Sequence, residues 1–249
     1  MKARSRSSSI PKRRSDRTTE AWSCAQVIAE LRRLGEKRNV EGMARFGIVA
    51  KDVCGVSKPR LDLLARRIGR NHTLALELWD SGVHDARILA GLIDDPKLVT
   101  AAQMNRWVRD FDNWDVCDGT CCHLFAFATP AWECAIAWTK RTPEFEKRAG
   151  FALLAYLACR GKSAKDSSYV RVVPILLREA SDDRNFVRKA VNWALRNIGK
   201  RNLKLNHAAI RAAERMRKID SRSARWIAAD ALRELKSEAV QSRLRRRKG

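Results

Sequence analysis

Glycine and proline are scarce, with 12 and 6 residues in a chain of 249. Runs of β-branched residues are also short, so the turn-punctuated strands of a sheet protein find little support. No apolar run approaches the roughly 18 residues of a membrane-spanning helix, and a soluble chain without membrane contact is expected. Between the basic start and residue 20 there is no apolar stretch of the kind that marks a secretory signal. The seven cysteines are odd in number and irregularly spaced. They do not read as a disulfide framework, and a reducing cytoplasmic setting is expected. Cys117, Cys121, Cys122 and Cys134, with His123, contain no Cys-x-x-Cys pair, so no metal is expected there and buried thiols explain them. A glycine-rich phosphate loop and a nucleophile elbow are both missing, and no cofactor is expected.

Acidic residues are outnumbered as well, 28 against 51 Lys and Arg, for a formal charge of +23. Residues 1–19 carry +6 and residues 243–249 carry +5, which leaves +12 on residues 20–242. The first segment, Ser- and Arg-rich with Pro11, reads as a disordered basic arm, and the last as a basic tail. Between them the 45% hydrophobic content of the chain supports one folded unit over 20–242. Because the body is basic without its ends, a polyanion is the expected partner, bound through neutralised phosphates and released counterions.

From about residue 20 the apolar periodicity is helical almost everywhere, and the fold class is all-α. The predicted helices run roughly 8–16 residues between short breaks. Those breaks are Gly55-Val56-Ser57-Lys58-Pro59, Asp94-Asp95-Pro96, Arg141-Thr142-Pro143 and Ser181-Asp182-Asp183. An arginine opening an Ala-rich helix recurs at Arg87, Arg148, Arg188 and Arg225, at intervals of 61, 40 and 37 residues. The first interval is close to two shorter repeats with the Trp114 helix between them. Such periods mark a HEAT-like solenoid of antiparallel helix pairs, each burying its face only against its neighbours. The recurrent cations would line a concave basic surface suited to a duplex.

Three segments place aromatic and charged groups together. They are Asn113-Trp114-Asp115-Val116-Cys117-Asp118, Phe145-Glu146-Lys147-Arg148-Ala149, and Phe186-Val187-Arg188-Lys189-Ala190-Val191-Asn192-Trp193. In the third, Val187, Ala190, Val191, Ala194, Leu195 and Ile198 form one apolar stripe. Trp193 lies roughly 140° from its centre, alongside Lys189, Arg196 and Lys200. It reads as a stacking surface beside phosphate-binding cations, or as a contact to a neighbouring repeat. Trp114 and Asp118 share one helix face, with Asp112 or Asn113 as the N-cap. Asp115, early in the first turn, suits the helix dipole. Asp118 has no such helix-end role and is the candidate catalytic carboxylate. Trp22, Trp79, Trp107, Trp132, Trp138 and Trp226 read as packing residues, and His72, His84 and His207 have no evident catalytic partner.

One carboxylate and two indoles suffice for a particular chemistry. A purine alkylated at N3 or N7 is cationic and leaves as a neutral base, so its glycosidic bond needs no general acid. Positive charge moves to the sugar, where a fixed anion stabilises it and orients the attacking water. Tryptophan faces complement the same charge.

At these residues the chain resembles the AlkD-type DNA alkylation-repair glycosylases, a HEAT-like repeat family, from about Gly42 to Leu244. The resemblance is carried by Met43-Ala44-Arg45-Phe46, Gly55-Val56-Ser57-Lys58-Pro59-Arg60, the Trp114 and Asp118 pair, Arg148, and Lys189-Ala190 followed by Trp193-Ala194-Leu195-Arg196. It implies a monofunctional, metal-free and cofactor-free glycosylase that excises cationic N3- and N7-alkylated purines from double-stranded DNA, holding the lesion at the concave surface without base flipping. Carried over by position, Asp118, Trp114 and Trp193 are the lesion-site residues and Arg148 binds the backbone beside it. Arg188, Lys189, Arg196, Phe46 and Ser57 complete the expected DNA-binding set. Phe46 stands where characterised members tend to have Tyr, and Ser57 where they tend to have a longer polar side chain. A monomer held near the nucleoid by its DNA affinity is expected. The alternative reading is a non-catalytic HEAT-repeat protein that binds damaged or distorted DNA.

Overall fold

The computed structural model describes residues 22–160 and 164–246, so the expected N-terminal arm lies outside the described residues. Among them are fourteen α-helices and no strand. In chain order the helices are α1 (Cys24–Leu34), α2 (Lys37–Arg45), α3 (Lys58–Ile68), α4 (His72–Asp80), α5 (His84–Ile93), α6 (Ala101–Trp107), α7 (Trp114–His123), α8 (Ala131–Trp138), α9 (Glu144–Arg160), α10 (Asp166–Glu179), α11 (Asn185–Gly199), α12 (Leu203–Met216), α13 (Arg222–Leu235) and α14 (Glu238–Arg246).

Local chemistry sets many of these starts. Ser23 and Gln26 form a reciprocal capping box at α1, and Asn71, Thr100, Asn113, Asn202 and Ser221 each accept an amide hydrogen bond from the first turn they open. Each such cap contributes about 1 kcal/mol. The expected breaks fall at helix junctions, except that Lys58 and Pro59 already belong to the first turn of α3, where a proline loses no hydrogen bond. Helix α9 reaches 17 residues, longer than expected. It packs on α7, α8 and α11 at once, so it is apolar around most of its circumference.

Helices α3, α5, α7, α9, α11 and α13 form one row, each packed on the next. A second layer is built from the partners of that row: α4 with α5, α8 with α9, α10 with α11, and α12 with α13. Contacts of α6 with α8 and of α10 with α12 tie the second layer together. This is a HEAT-like arrangement of stacked antiparallel pairs. The two rows approach very closely at Gly150, where a Cβ would stand 2.7 Å from the Thr139 amide nitrogen.

Trp79, Trp107 and Trp138 lie fully buried on α4, α6 and α8. The first two stack with ring centroids 3.9 Å apart, while Trp79 donates its indole N–H to Asp110 and Trp138 to Asn105. Trp132 meets Tyr169 edge-on. Two sequence expectations change. Trp226 is not core: it is 39% exposed. The basic tail is also shorter than expected, because residues 243–246 continue α14 and Leu244 is buried; an apolar residue every fourth position gives that segment a face to dock.

Candidate active site and nucleic-acid interface

The N-terminal turns of the inner row lie edge to edge, joined by polar contacts across roughly one repeat. The Asp85 carboxylate at the start of α5 accepts the amides of Cys54 and Val56, each at 2.7 Å, and that of Gly55 at 3.3 Å. Gly55 makes this wrap possible with φ of 76°, a conformation that a side chain disfavours. His84 Nε2 lies 3.3 Å from the Asp115 carboxylate, the Phe186 amide donates to Glu144, and the Ser223 hydroxyl donates to the Asp182 carbonyl. Helix N-termini gathered along one edge also present a shared positive potential.

Asp118 and Arg148 form the centre of this edge. Arg148 Nε donates to Oδ1 of Asp118 at 2.9 Å and Nη2 to Oδ2 at 2.6 Å, a bidentate charge-assisted pair. Its remaining Nη1 donates to the Phe186 carbonyl at 2.7 Å, and its guanidinium lies over the Phe186 ring. Burial pushes the Asp118 carboxyl above its ordinary range, and the positive charge of Arg148 opposes that lift. Burial also works against the charged Arg148, but the Asp118 carboxylate outweighs it and holds the guanidinium protonated. Ionisation of the pair follows from this geometry. Asp118 therefore has a structural partner in Arg148. It stands 31 residues after Arg87 and 30 before Arg148, in the register where its neighbouring inner helices carry arginine.

The aromatic groups are held from behind. Trp114 opens α7 and donates its indole N–H to the Phe46 carbonyl at 2.9 Å. Phe46 ends α2 with its side chain 71% exposed. The following Gly47 reaches across to Phe186, since a Cβ there would lie 3.3 Å from its ring, so the α2 turn spans from α7 to α11. Trp193 is half-buried and meets the ring of Tyr156 edge-on at 4.8 Å. Trp193 thus packs on the neighbouring repeat, as one of the two sequence readings had it, and is not fully buried. Tyr156 went unremarked in the sequence. Its phenol is pushed up by burial, then by Cys122, with the Asp118 charge adding.

The expected cations divide into two groups. Lys189 is exposed, and Arg188 stacks over the Trp226 indole at 4.8 Å with its Nε buried and unpartnered among the described residues. Arg196, expected at a phosphate, is bound to Asp230 and Glu234, and Lys200 to Glu234; with Arg233 on Asp230 the cluster sets three cations against two carboxylates. Arg148, expected at the DNA backbone, is only 7% exposed and holds Asp118 and the Phe186 carbonyl. Ser57 caps α3 without a side-chain capping bond and faces a cavity beside Trp114. The thiols of Cys117 and Cys121 point to carbonyls of α9, which accounts for them as helix packing.

A stack of helix pairs carrying a buried carboxylate, part-exposed indoles and exposed cations suits a HEAT-like DNA-repair protein. A family model described as "DNA alkylation repair enzyme" matches residues 27–235, and the chain belongs to that family. Among solved structures, one described as a new family of proteins related to the HEAT-like repeat DNA glycosylases, with affinity for branched DNA structures, superposes with a TM-score of 0.72. The two are 20% identical over 86% of this chain and 95% of the other, a likeness of fold. No curated protein matches the sequence.

Proposed function

We propose that the protein is a monofunctional DNA glycosylase that hydrolyses the N-glycosidic bond of cationic N3- and N7-alkylated purines in duplex DNA. The observation that carries this is Asp118, a buried carboxylate kept ionised and oriented by the bidentate Arg148, one turn from the tethered Trp114. Arg148 occupies one edge of the carboxylate, and a water or a developing sugar cation approaches by the 17% of the Asp118 side chain that stays open. As the glycosidic bond breaks, the electron pair stays with the departing base and neutralises it. The positive charge that appears on the sugar is stabilised by Asp118, which also accepts the proton of the attacking water. Trp114 and Trp193 supply faces for the cationic base and sugar. Lys189 and Arg188 hold the phosphates.

A second reading, binding of distorted or branched DNA without bond cleavage, draws on the affinity described for the structural neighbour. Release of 7-methylguanine and 3-methyladenine from methylated duplex separates the two. On the glycosylase reading, Asp118→Asn lowers the rate by 10²–10³-fold, about 3–4 kcal/mol, as for removal of one preorganised electrostatic group elsewhere, with duplex affinity retained. No release by the wild type, with duplex binding intact, would leave only the second reading.

A further inference from the structure

Behind the Phe46–Trp114 contact lies a cavity of about 570 Å³ between α2, α3, α5 and the start of α7. That volume falls in the range of small-molecule clefts. Met43, Ile48, Val56, Leu61 and Ile88 make its walls apolar, and Trp114 lends it an indole. Gly42 also lines it, and a Cβ there would meet nothing within 4 Å. A well-packed interior leaves few hollows of this size. Three polar groups stand at it without a full set of partners. Ser57 makes no capping bond, Arg38 is exposed and in no ion pair among the described residues, and the Asp115 carboxylate holds only a long contact to His84 and keeps 41% of its side chain exposed. The other lining carboxylate, Asp85, is already satisfied by three amides.

We propose that this chamber receives one unpaired nucleobase swung out of a DNA duplex. The apolar chamber with an indole wall takes the base by stacking. Asp115 accepts a hydrogen bond from an exocyclic amino group, as adenine, cytosine or guanine can offer. Arg38 and the Ser57 hydroxyl meet the adjoining phosphate at the mouth. An aliphatic ligand would leave the Asp115 and Ser57 groups unmatched, and a free anion would face Asp115 with nothing to fill the slot. The occupant is an ordinary base that has lost its partner, distinct from the alkylated purine assigned to Asp118. The proposal rests on the DNA-binding part of the reading above and is independent of base release.

The test compares three duplexes: fully paired, with a single bulged adenine, and with an abasic residue at the bulge. The wild type is expected to bind the adenine bulge at least 10-fold more tightly than the abasic one, with quenching of 2-aminopurine placed at the bulge. Gly42→Phe fills the chamber and improves a helical position. It is expected to bind both bulges as the wild type binds the abasic one, with affinity for paired duplex unchanged. Arg38→Ala is expected to weaken bulge binding about 5-fold without changing the melting temperature. Equal wild-type affinity for adenine and abasic bulges would overturn the proposal, as would a folded Gly42→Phe protein that keeps the preference. Loss of binding to paired duplex would instead count against the DNA-binding reading itself.

Discussion

Two cross-links between neighbouring inner helices use the same side-chain types and come out differently. Between α7 and α9, Asp118 has Arg148 as its one ionic partner among the described residues, and both are almost shielded from water. Between α11 and α13, Asp230, no more exposed than Asp118, and the more open Glu234 are shared among Arg196, Lys200, Arg233 and Asn192. Burial lifts the Asp118 carboxyl. Glu234 also feels burial, but the hydrogen bonds and charges of Lys200 and Arg196 overcome it and hold its carboxyl below the ordinary range. A single dry pair keeps one carboxylate poised and costly to disturb. A wetter network of several cations neutralises its carboxylates and acts as a staple. The difference is partner number first, then the water around the cations and Glu234, and not residue type.

The largest expected contrast is in stability. Arg148→Ala strands a buried carboxylate and is expected to cost about 3–5 kcal/mol of unfolding free energy, whereas Arg196→Ala should cost about 1 kcal/mol or less at its better-solvated site. Urea denaturation of the two variants measures this, and equal costs would erase the distinction. The acid limb of base release sharpens it further. Release needs ionised Asp118, so activity falls as pH drops through its raised pKa, above the ordinary carboxyl value of about 4. Removing the opposing charge in Arg148→Gln is expected to move that limb to still higher pH, while Arg196→Gln leaves it in place. Glu234 has the opposite sign: its lowered carboxyl adds stability above the unfolded pKa, and this is lost as pH falls through the folded one. Melting of Glu234→Gln against wild type should therefore differ at neutral pH and converge in acid.

Trp193→Ala is expected to slow release by about 0.5–2 kcal/mol, the worth of one indole face to a cation, with no change in the acid limb; a shifted limb would mean that Trp193 serves mainly to keep Asp118 dry. The smallest effect concerns phosphate contacts. Lys189→Ala should reduce the slope of log affinity against log salt by about 1. Arg196→Ala should change it less, since that cation is already paired with two carboxylates. A salt titration in which both slopes fall equally would show the α11–α13 staple opening to bind DNA.

What the sequence determined by itself was whatever depends on neighbours within a turn or on a repeated period. Asn113 could be read as a cap, Trp114 and Asp118 as one face, and Arg87, Arg148, Arg188 and Arg225 as a repeat register. From these the all-α HEAT-like fold follows. What only the tertiary structure decided was which charges meet. Asp118 and Arg148 are 30 residues apart, and Arg196 and Asp230 are 34 apart, so neither separation nor residue type distinguishes the pair from the staple. Tyr156 behind Trp193, the Phe46 carbonyl behind Trp114 and the cavity beside Ser57 were likewise invisible, because they exist only where one repeat stacks on the next. The physical reason is the dielectric. Helix periodicity is written in local sterics and hydrophobicity, whereas the strength and meaning of a charge are set by how much water the whole stack leaves around it.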